Sequence, residues 1–279
     1  MTRPAARVDD NHVCPLTTPP PHVGGLILPP GGVNTIVNGH HAARVSDKAF
    51  CVAPAPDTVR GGLISVFVDG NPFSRLADKT DVGNIVVGSP DVLLGEWGGG
   101  PLTPYQAQWL YDYMSKQENI PFEYATDGCF ARADRMAELI GSLDIPVQKQ
   151  WVWDVTGNSG LNVPIANYPG GGVSWRYHVA PVVQVAGTPG GMIIDPSMRP
   201  GGPISVADWT SRMNPNGVTT ATTATGTDVY YQPYDPSTNT WGTPQRSAPT
   251  ARDLENYRGE RARLPASSGR NVPNAPVHY

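Results

Sequence analysis

Hydrophobic positions along the chain recur with two periods. From Pro104 to Gln117, Trp109, Leu110, Tyr113 and Met114 form one apolar stripe at helical spacing. After Asp127, a good N-cap, Ala133, Met136, Ala137 and Ile140 form another, and Gly141 is a natural stop. Val147 to Val155 alternates instead, with Val147, Lys149, Trp151 and Trp153 against Gln148, Gln150 and Val152, so it reads as a strand. The stretch from Val173 onward alternates too. Trp175, Tyr177, Val179, Val183 and Val185 share one face, and His178, Ala180 and Val182 the other. A further strand runs from Met192 to Asp195 after Gly187-Thr188-Pro189-Gly190-Gly191, a turn by composition. Asp195 would then lie opposite Ala180 to Val182. The near end of that range is within diagonal reach of His178, with a glycine-linked bulge as the device that would set the register.

The first 95 residues carry short strands punctuated by glycine. Thr35-Ile36-Val37-Asn38-Gly39 precedes His41-Ala42-Ala43-Arg44-Val45-Ser46-Asp47, and Val66-Phe67-Val68-Asp69-Gly70 precedes Phe73-Ser74-Arg75-Leu76-Ala77-Asp78. The second of each pair repeats Pro4-Ala5-Ala6-Arg7-Val8-Asp9-Asp10. A last strand, Asp91 to Gly95, has no motif after it. Such a period predicts stacked or symmetric β-hairpins. A generic all-β module would explain the period but not the motif. Glu96 to Pro101 is a linker by composition and marks a domain boundary, dividing the chain into 1–95 and 102–250. Gly157 to Gly172 reads as a connecting loop that could border a cleft, and Thr219 to Thr227 as exposed. The tail 251–279, with Arg258, Arg261, Arg263 and Arg270 among Pro, Ser and Gly, is expected to be partly disordered.

Composition narrows the classes. The chain has 279 residues, room for one or two domains, and its 31 glycines and 30 prolines favour β-structure with many turns. A net charge of −4 gives no reason to expect a nucleic-acid or membrane surface. No apolar run reaches the ~18 residues of a membrane helix. The start, Met1 to Arg7, lacks the apolar core of a secretory signal. Three cysteines do not make a full disulfide framework, so synthesis in a reducing compartment is expected.

One of those cysteines carries candidate chemistry. Cys129 falls in the first turn of the second helix, where free N–H groups and the helix dipole favour a thiolate. The other reading is a buried small hydrophobe. Cys, then His, then Asp, on a helix followed by two antiparallel strands, is an order used for amide chemistry in papain-like and transglutaminase-like enzymes. Asp-Gly-Cys-Phe-Ala-Arg-Ala, Val-Ser-Trp-Arg-Tyr-His-Val-Ala and Ile-Ile-Asp-Pro-Ser together resemble the bacterial protein-glutamine glutaminases, from about Leu102 to Trp241 and including Asp228-Val229-Tyr230-Tyr231. The resemblance implies an α+β cysteine amidohydrolase with Cys129 as nucleophile, His178 as base and acid, and Asp195 as orienter of His178. Asp134 departs from it, standing where a His would be expected.

The repeat stretch resembles the PAAR-repeat domains, named after the motif at Pro4 to Arg7. The resemblance implies an all-β cone at the tip of the type VI secretion spike, docked on a trimeric valine-glycine-repeat spike protein and stapled by zinc. His12, Cys14, His22 and Cys51 fit that zinc site by residue type, His12 and Cys14 sharing one face of a strand. The family pattern also suggests a His near Asp81-Val82-Gly83, which this chain lacks; Cys14 is taken as the fourth ligand, with Asp81 in reserve. His40 and His41 read as exposed turn residues. A spike tip joined to an enzyme is the layout of a secreted toxin, with an immunity protein and a glutamine-containing target protein as partners and no membrane anchor.

Overall fold

In the computed structural model every residue is described except 1, 16–22, 53–55, 97, 123–127, 157–159, 165–171, 199–200, 215–216, 247–249 and 262–279. The expected ligand His22 and the expected N-cap Asp127 therefore lie outside the described residues. The chain divides into two compact units. The first is Met1–Gly100 with Leu139–Ile145; the second is Pro101–Glu138 with the chain from Pro146 on.

The first unit is built of short strands: β1 (Arg3–Pro4), β2 (His12–Val13), β3 (Gly32–Val37), β4 (His40–Ala42), β5 (Lys48–Ala49), β6 (Asp57–Thr58), β7 (Leu63–Val68), β8 (Asn71–Phe73), β9 (Asn84–Ile85) and β10 (Leu93–Leu94). All pair antiparallel, β3 with β4, β7 with β8, and β10 with β1. The last pairing explains the strand without a motif after it. The first motif has no strand ahead of it in sequence, and the end of the stretch supplies one.

The repeats then close on one another. Ala6 N–H donates to Ser74 O, Ser74 N–H to Ala43 O and Ala43 N–H to Ala6 O, each at 2.9 Å. These three residues precede the motif arginines and are fully buried. Three equivalent donors meeting three equivalent acceptors make a ring about a pseudo-three-fold axis. Ile27, Val59 and Ile85 pack with Ala6, Ala43 and Ala49 in one apolar cluster.

The motif's chemistry is now visible. In each copy the arginine binds the aspartate three residues on: Arg7 Nη2 to Asp10 at 2.8 Å, Arg44 to Asp47 at 3.0 Å, Arg75 to Asp78 at 3.1 Å. The arginine's own amide donates to the other carboxylate oxygen at 2.7, 2.7 and 2.8 Å. A charged fork held at both ends fixes a tight corner. Asp9, Ser46 and Ala77, one place before each aspartate, take positive φ of 72, 78 and 68°.

The second unit contains α1 (Pro104–Ser115), α2 (Cys129–Gly141), β11 (Val147–Asp154), β12 (Leu161–Pro164), β13 (Gly172–Trp175), β14 (Tyr177–Val185), β15 (Thr188–Ile193), β16 (Ile204–Ser205), α3 (Val206–Arg212), β17 (Thr220–Thr225), β18 (Tyr234–Asp235), β19 (Thr240–Trp241) and α4 (Thr250–Arg261). Its main sheet has the order β16-β15-β14-β11-β17, with antiparallel neighbours throughout. Thr103 caps α1 in a reciprocal pair with Gln106, which is why the helix starts at Pro104. The alternation of β11 implied one buried face. Both are buried from Lys149 to Asp154: β11 is a central strand between β14 and β17, and on one face Trp151 and Trp153 pack with Cys129 and Ala133 of α2.

One expectation is corrected, and three segments are more regular than their composition suggests. The turn before Asp195 is Ala186-Gly187 alone; Thr188 to Gly191 belong to β15. Gly190 and Gly191, at φ 82 and 79°, absorb a register shift between Val183 and Val185, which is the expected glycine bulge. Thr220–Thr225 is a paired edge strand against β11, and Leu161–Pro164 pairs with β13 inside what reads as a loop. The start of the tail is helical, with Leu254 buried beside Ala131 and Tyr230.

Candidate active site and tip metal centre

The bulge brings His178 and Asp195 together. Val182 pairs with Ile193, and Ile194 N–H donates to Pro181 O at 2.9 Å, which carries Asp195 to the level of Ala180. His178 Nε2 lies 2.8 Å from Asp195 Oδ2, and both side chains are buried. The carboxylate is held by more than the histidine. Its Oδ1 accepts from the Ser197 amide at 3.1 Å and from the Ser197 hydroxyl, on the 3₁₀ turn Pro196–Met198. Its Oδ2 also accepts from Trp209 Nε1 at 2.9 Å, on α3. Burial by itself would raise the pKa of Asp195. The attraction of His178 and the bonds from His178, Ser197 and Trp209 outweigh it and hold the group down at about 2.

The imidazole sits between two indoles, stacked on Trp175 at 5.0 Å and tilted against Trp209 at 5.4 Å. Asp195 fixes Nε2, so Nδ1 is the working nitrogen. It is buried and, among the described residues, has no hydrogen-bond partner. Hence no hydrogen bond joins it to Cys129.

Cys129 opens α2, buried at 6% exposure. Gly128, at φ 88°, makes the entry, and a Cβ there would stand 2.5 Å from the ring of Tyr257. Only glycine satisfies both the backbone and the space. Cys129 belongs to a cluster with Ala133, Trp151, Trp153 and Val179, against which Tyr177 and Tyr231 pack. Val179 is the β14 member of this apolar cluster. The structure thus joins His178 to Asp195 and seats Cys129 among the neighbouring aromatics. Asp134, five places further along α2, takes a structural role. It accepts from the fully buried Lys149 and from Thr250, and Lys149 Nζ also donates to Val229 O at 2.9 Å. Burial lowers the Lys149 pKa against the pull of Asp134.

Sequence reading missed Ser197, Trp209 and Lys149 as site residues. Ser197 stood in the quoted Asp-Pro-Ser run, where a hydroxyl two places after an aspartate turns back on it. Nothing local marks Trp209.

In the first unit, Cys14, Cys51 and His12 are buried, and neither cysteine is in a disulfide. Among the described residues no three His, Cys, Asp or Glu side chains converge to hold a metal. Asp81 is engaged instead by Arg60, at 2.7 and 2.9 Å. His40 is exposed and lies 3.1 Å from Asp9. His12 is paired with a carboxylate instead: its Nε2 lies 3.3 Å from Asp57 Oδ2, both side chains are buried, and the bond to Asp57 raises the His12 pKa against the effect of burial.

Residues 17–88 match the family described as PAAR motif, and residues 107–213 the family described as glutaminase. No curated protein matches the chain. Solved structures similar to it include the NMR structure of protein-glutaminase from Chryseobacterium proteolyticum, at 23% identity and TM-score 0.46 over 62% of this chain and 95% of that one. A crystal structure of protein-glutaminase is also 23% identical, with TM-score 0.44 over 64% and 97%. One of pro-protein-glutaminase is 20% identical, with TM-score 0.47 over 77% and 80%. By its two family matches, the chain is a two-domain protein with a PAAR-motif N-terminal part and a glutaminase-like C-terminal domain.

Proposed function

We propose that the chain is a type VI secretion effector whose C-terminal unit hydrolyses glutamine side-chain amides in a target-cell protein to glutamate and ammonia. The observation that carries the reading is the buried His178–Asp195 pair with an unpartnered Nδ1. A histidine fixed at one nitrogen and open at the other is a poised proton carrier. Cys129, at a helix start on a papain- or transglutaminase-like scaffold, is the nucleophile. Its Sγ attacks the carboxamide carbon. His178 takes the thiol proton and delivers it to the departing ammonia, leaving a thioester. His178 then draws a proton from water, which attacks the thioester carbonyl and releases the glutamate side chain and the thiol. Asp195 holds the imidazole tautomer throughout. The Cys129 amide, at the helix N-terminus, is one oxyanion donor.

The N-terminal unit caps the spike. Its pseudo-three-fold ring suits a trimeric valine-glycine-repeat partner, since each repeat can meet one subunit in the same way. Val33, Ile36 and Leu93, on the hairpin strands, expose apolar surface for such contacts. Zinc held by His12, Cys14, His22 and Cys51 would cross-link turns far apart in sequence and stiffen a domain with little interior. Delivery by the spike accounts for secretion, and among the described residues no helix is long and apolar enough to cross a membrane. An immunity protein in the producing cell follows from a toxic activity.

The test is incubation of purified protein with a glutamine-rich protein substrate. Ammonia should appear without new cross-links or shorter chains. Cys129→Ala should abolish it while leaving the thermal transition within a few degrees, because the residue is small. Ammonia release by Cys129→Ala would remove the nucleophile assignment. Cross-linked or cleaved substrate would point to amine transfer or proteolysis on the same residues.

A further inference from the structure

Thr250, Leu254 and Tyr257 recur along α4 at i, i+4 and i+7, which puts them on one face. That face meets the first two turns of α2. Thr250 donates its hydroxyl to Asp134, Leu254 packs with Ala131 and Tyr230, and Tyr257 lies edge-on to Phe130 at 6.4 Å. Tyr257 also closes on Gly128, whose carbonyl accepts from the Arg132 amide at 3.1 Å and so starts the helix. A side bond clamps the pair. Tyr230, edge-on to Phe130 at 5.2 Å, donates its hydroxyl to Asp253 at 2.5 Å.

Two features set this contact apart from ordinary core packing. The first is how little else holds α4. Its 12 residues would be marginal as an isolated helix, and Arg252, Glu255, Asn256 and Arg258 are exposed. Docking on α2 is what stabilises it. The second is where the docking falls. Gly128 and Phe130, the residues before and after Cys129, both lie against Tyr257. The backbone that carries the thiol is fixed by a helix from the far end of the domain's sequence.

We propose that α4 is a positioning element for the reaction, with Tyr257 acting through Gly128 and Phe130 to hold the thiol and the amide of Cys129 in place. The inference rests on the reading of Cys129 as nucleophile. Attack by the thiol and donation by the amide to the oxyanion both need the helix entry to keep its backbone, and a displacement of about 1 Å costs about 10²-fold in rate. A small element held by a few contacts opens at lower free energy than the whole domain. Activity should therefore fall at temperatures where the main sheet is still folded.

The experiment uses the full chain, well below its melting transition. Ammonia release from a glutamine-rich protein gives kcat and KM. Alkylation of Cys129 by iodoacetamide against pH, read by peptide mass spectrometry, gives the reactivity and apparent pKa of that thiol. Tyr257→Ala should lower kcat at least tenfold with KM within twofold, and should shift the pH at which Cys129 alkylates. Tyr257→Phe keeps the ring against Gly128 and should return kcat to within threefold of the unmutated protein. Leu254→Ala, three residues back on the same face, carries the same test if Tyr257→Ala does not fold. A lowered melting temperature with kcat and alkylation unchanged overturns the proposal, since α4 would then only add stability. A Tyr257→Phe variant as slow as Tyr257→Ala overturns it too, because the ring contact would not be what acts. If the unmutated protein releases no ammonia while alkylation of Cys129 still depends on Tyr257, the glutaminase reading fails and the positioning of Cys129 stands.

Discussion

Trp209 donates its indole N–H to Oδ2 of Asp195 at 2.9 Å, the same oxygen that lies 2.8 Å from His178 Nε2. One carboxylate oxygen thus ties a strand histidine to a helix tryptophan fourteen residues beyond the aspartate. The indole also packs on the imidazole it helps to orient. Trp209 is a positioning residue, acting on the reaction through Asp195. Trp209→Phe keeps most of the ring packing and removes the donor. A hydrogen bond to a charged group contributes about 1.5–3 kcal/mol, so the melting temperature should fall accordingly. kcat should fall several-fold while KM stays near its original value. A variant equal to the unmutated enzyme in kcat would remove the positioning role.

Asp195 makes stability depend on acid. Its pKa is held at about 2, below the ordinary aspartate value of 3.8. A depressed folded pKa stabilises at pH above the unfolded value, and that stability is lost as pH falls through the folded one. The window therefore runs from about pH 4 down to about pH 2, and linkage puts the effect at about 2 kcal/mol. Denaturant titrations at pH 5 and pH 2 should show Asp195→Asn losing less stability over this interval than the unmutated protein. Equal losses would show that other carboxylates govern acid unfolding.

Gly128→Ala should damage the entry to α2. The left-handed backbone costs a non-glycine residue about 1–2 kcal/mol, and the new methyl meets the Tyr257 ring 2.5 Å away. Adding Tyr257→Ala should relieve the clash but not the backbone strain. Calorimetry should accordingly find the double variant between Gly128→Ala and Tyr257→Ala in stability. If Gly128→Ala melts like the unmutated protein, this entry is more plastic than its φ implies.

Lys149→Met tests the buried ion pair behind Cys129. Removing one partner leaves the Asp134 charge buried, which typically costs about 3–5 kcal/mol. Replacing Asp134 with Leu in the same chain should recover much of that loss. Unfolding curves that put Lys149→Met within about 1 kcal/mol of the unmutated protein would show that water reaches Asp134.

Much of this arrangement is legible in short stretches of sequence. The stripes of Leu110 and Met114 and of Ala133, Met136, Ala137 and Ile140 mark α1 and α2, and the alternation of Val147 to Asp154 marks β11. The Arg–Asp spacing of the three motifs is local, so each copy announces the same corner. His178 lies on β14 and Asp195 two residues past the end of β15, strands joined by a short turn, which bounds their register within a few residues. What lay beyond reach was pairing at a distance. Nothing near Leu93 says that it closes on Pro4, and nothing near Trp209 says that its indole ends on Asp195. Thr220–Thr225 looks exposed by composition and becomes a strand because β11 offers it a free edge. Asp57 looks like a surface carboxylate until folding buries it against His12. Periodicity reports contacts between residues a few places apart, whose geometry the backbone itself dictates. Bonds between residues far apart in the chain depend on how whole elements pack, and that was decided only when the sheet and the ring of repeats closed.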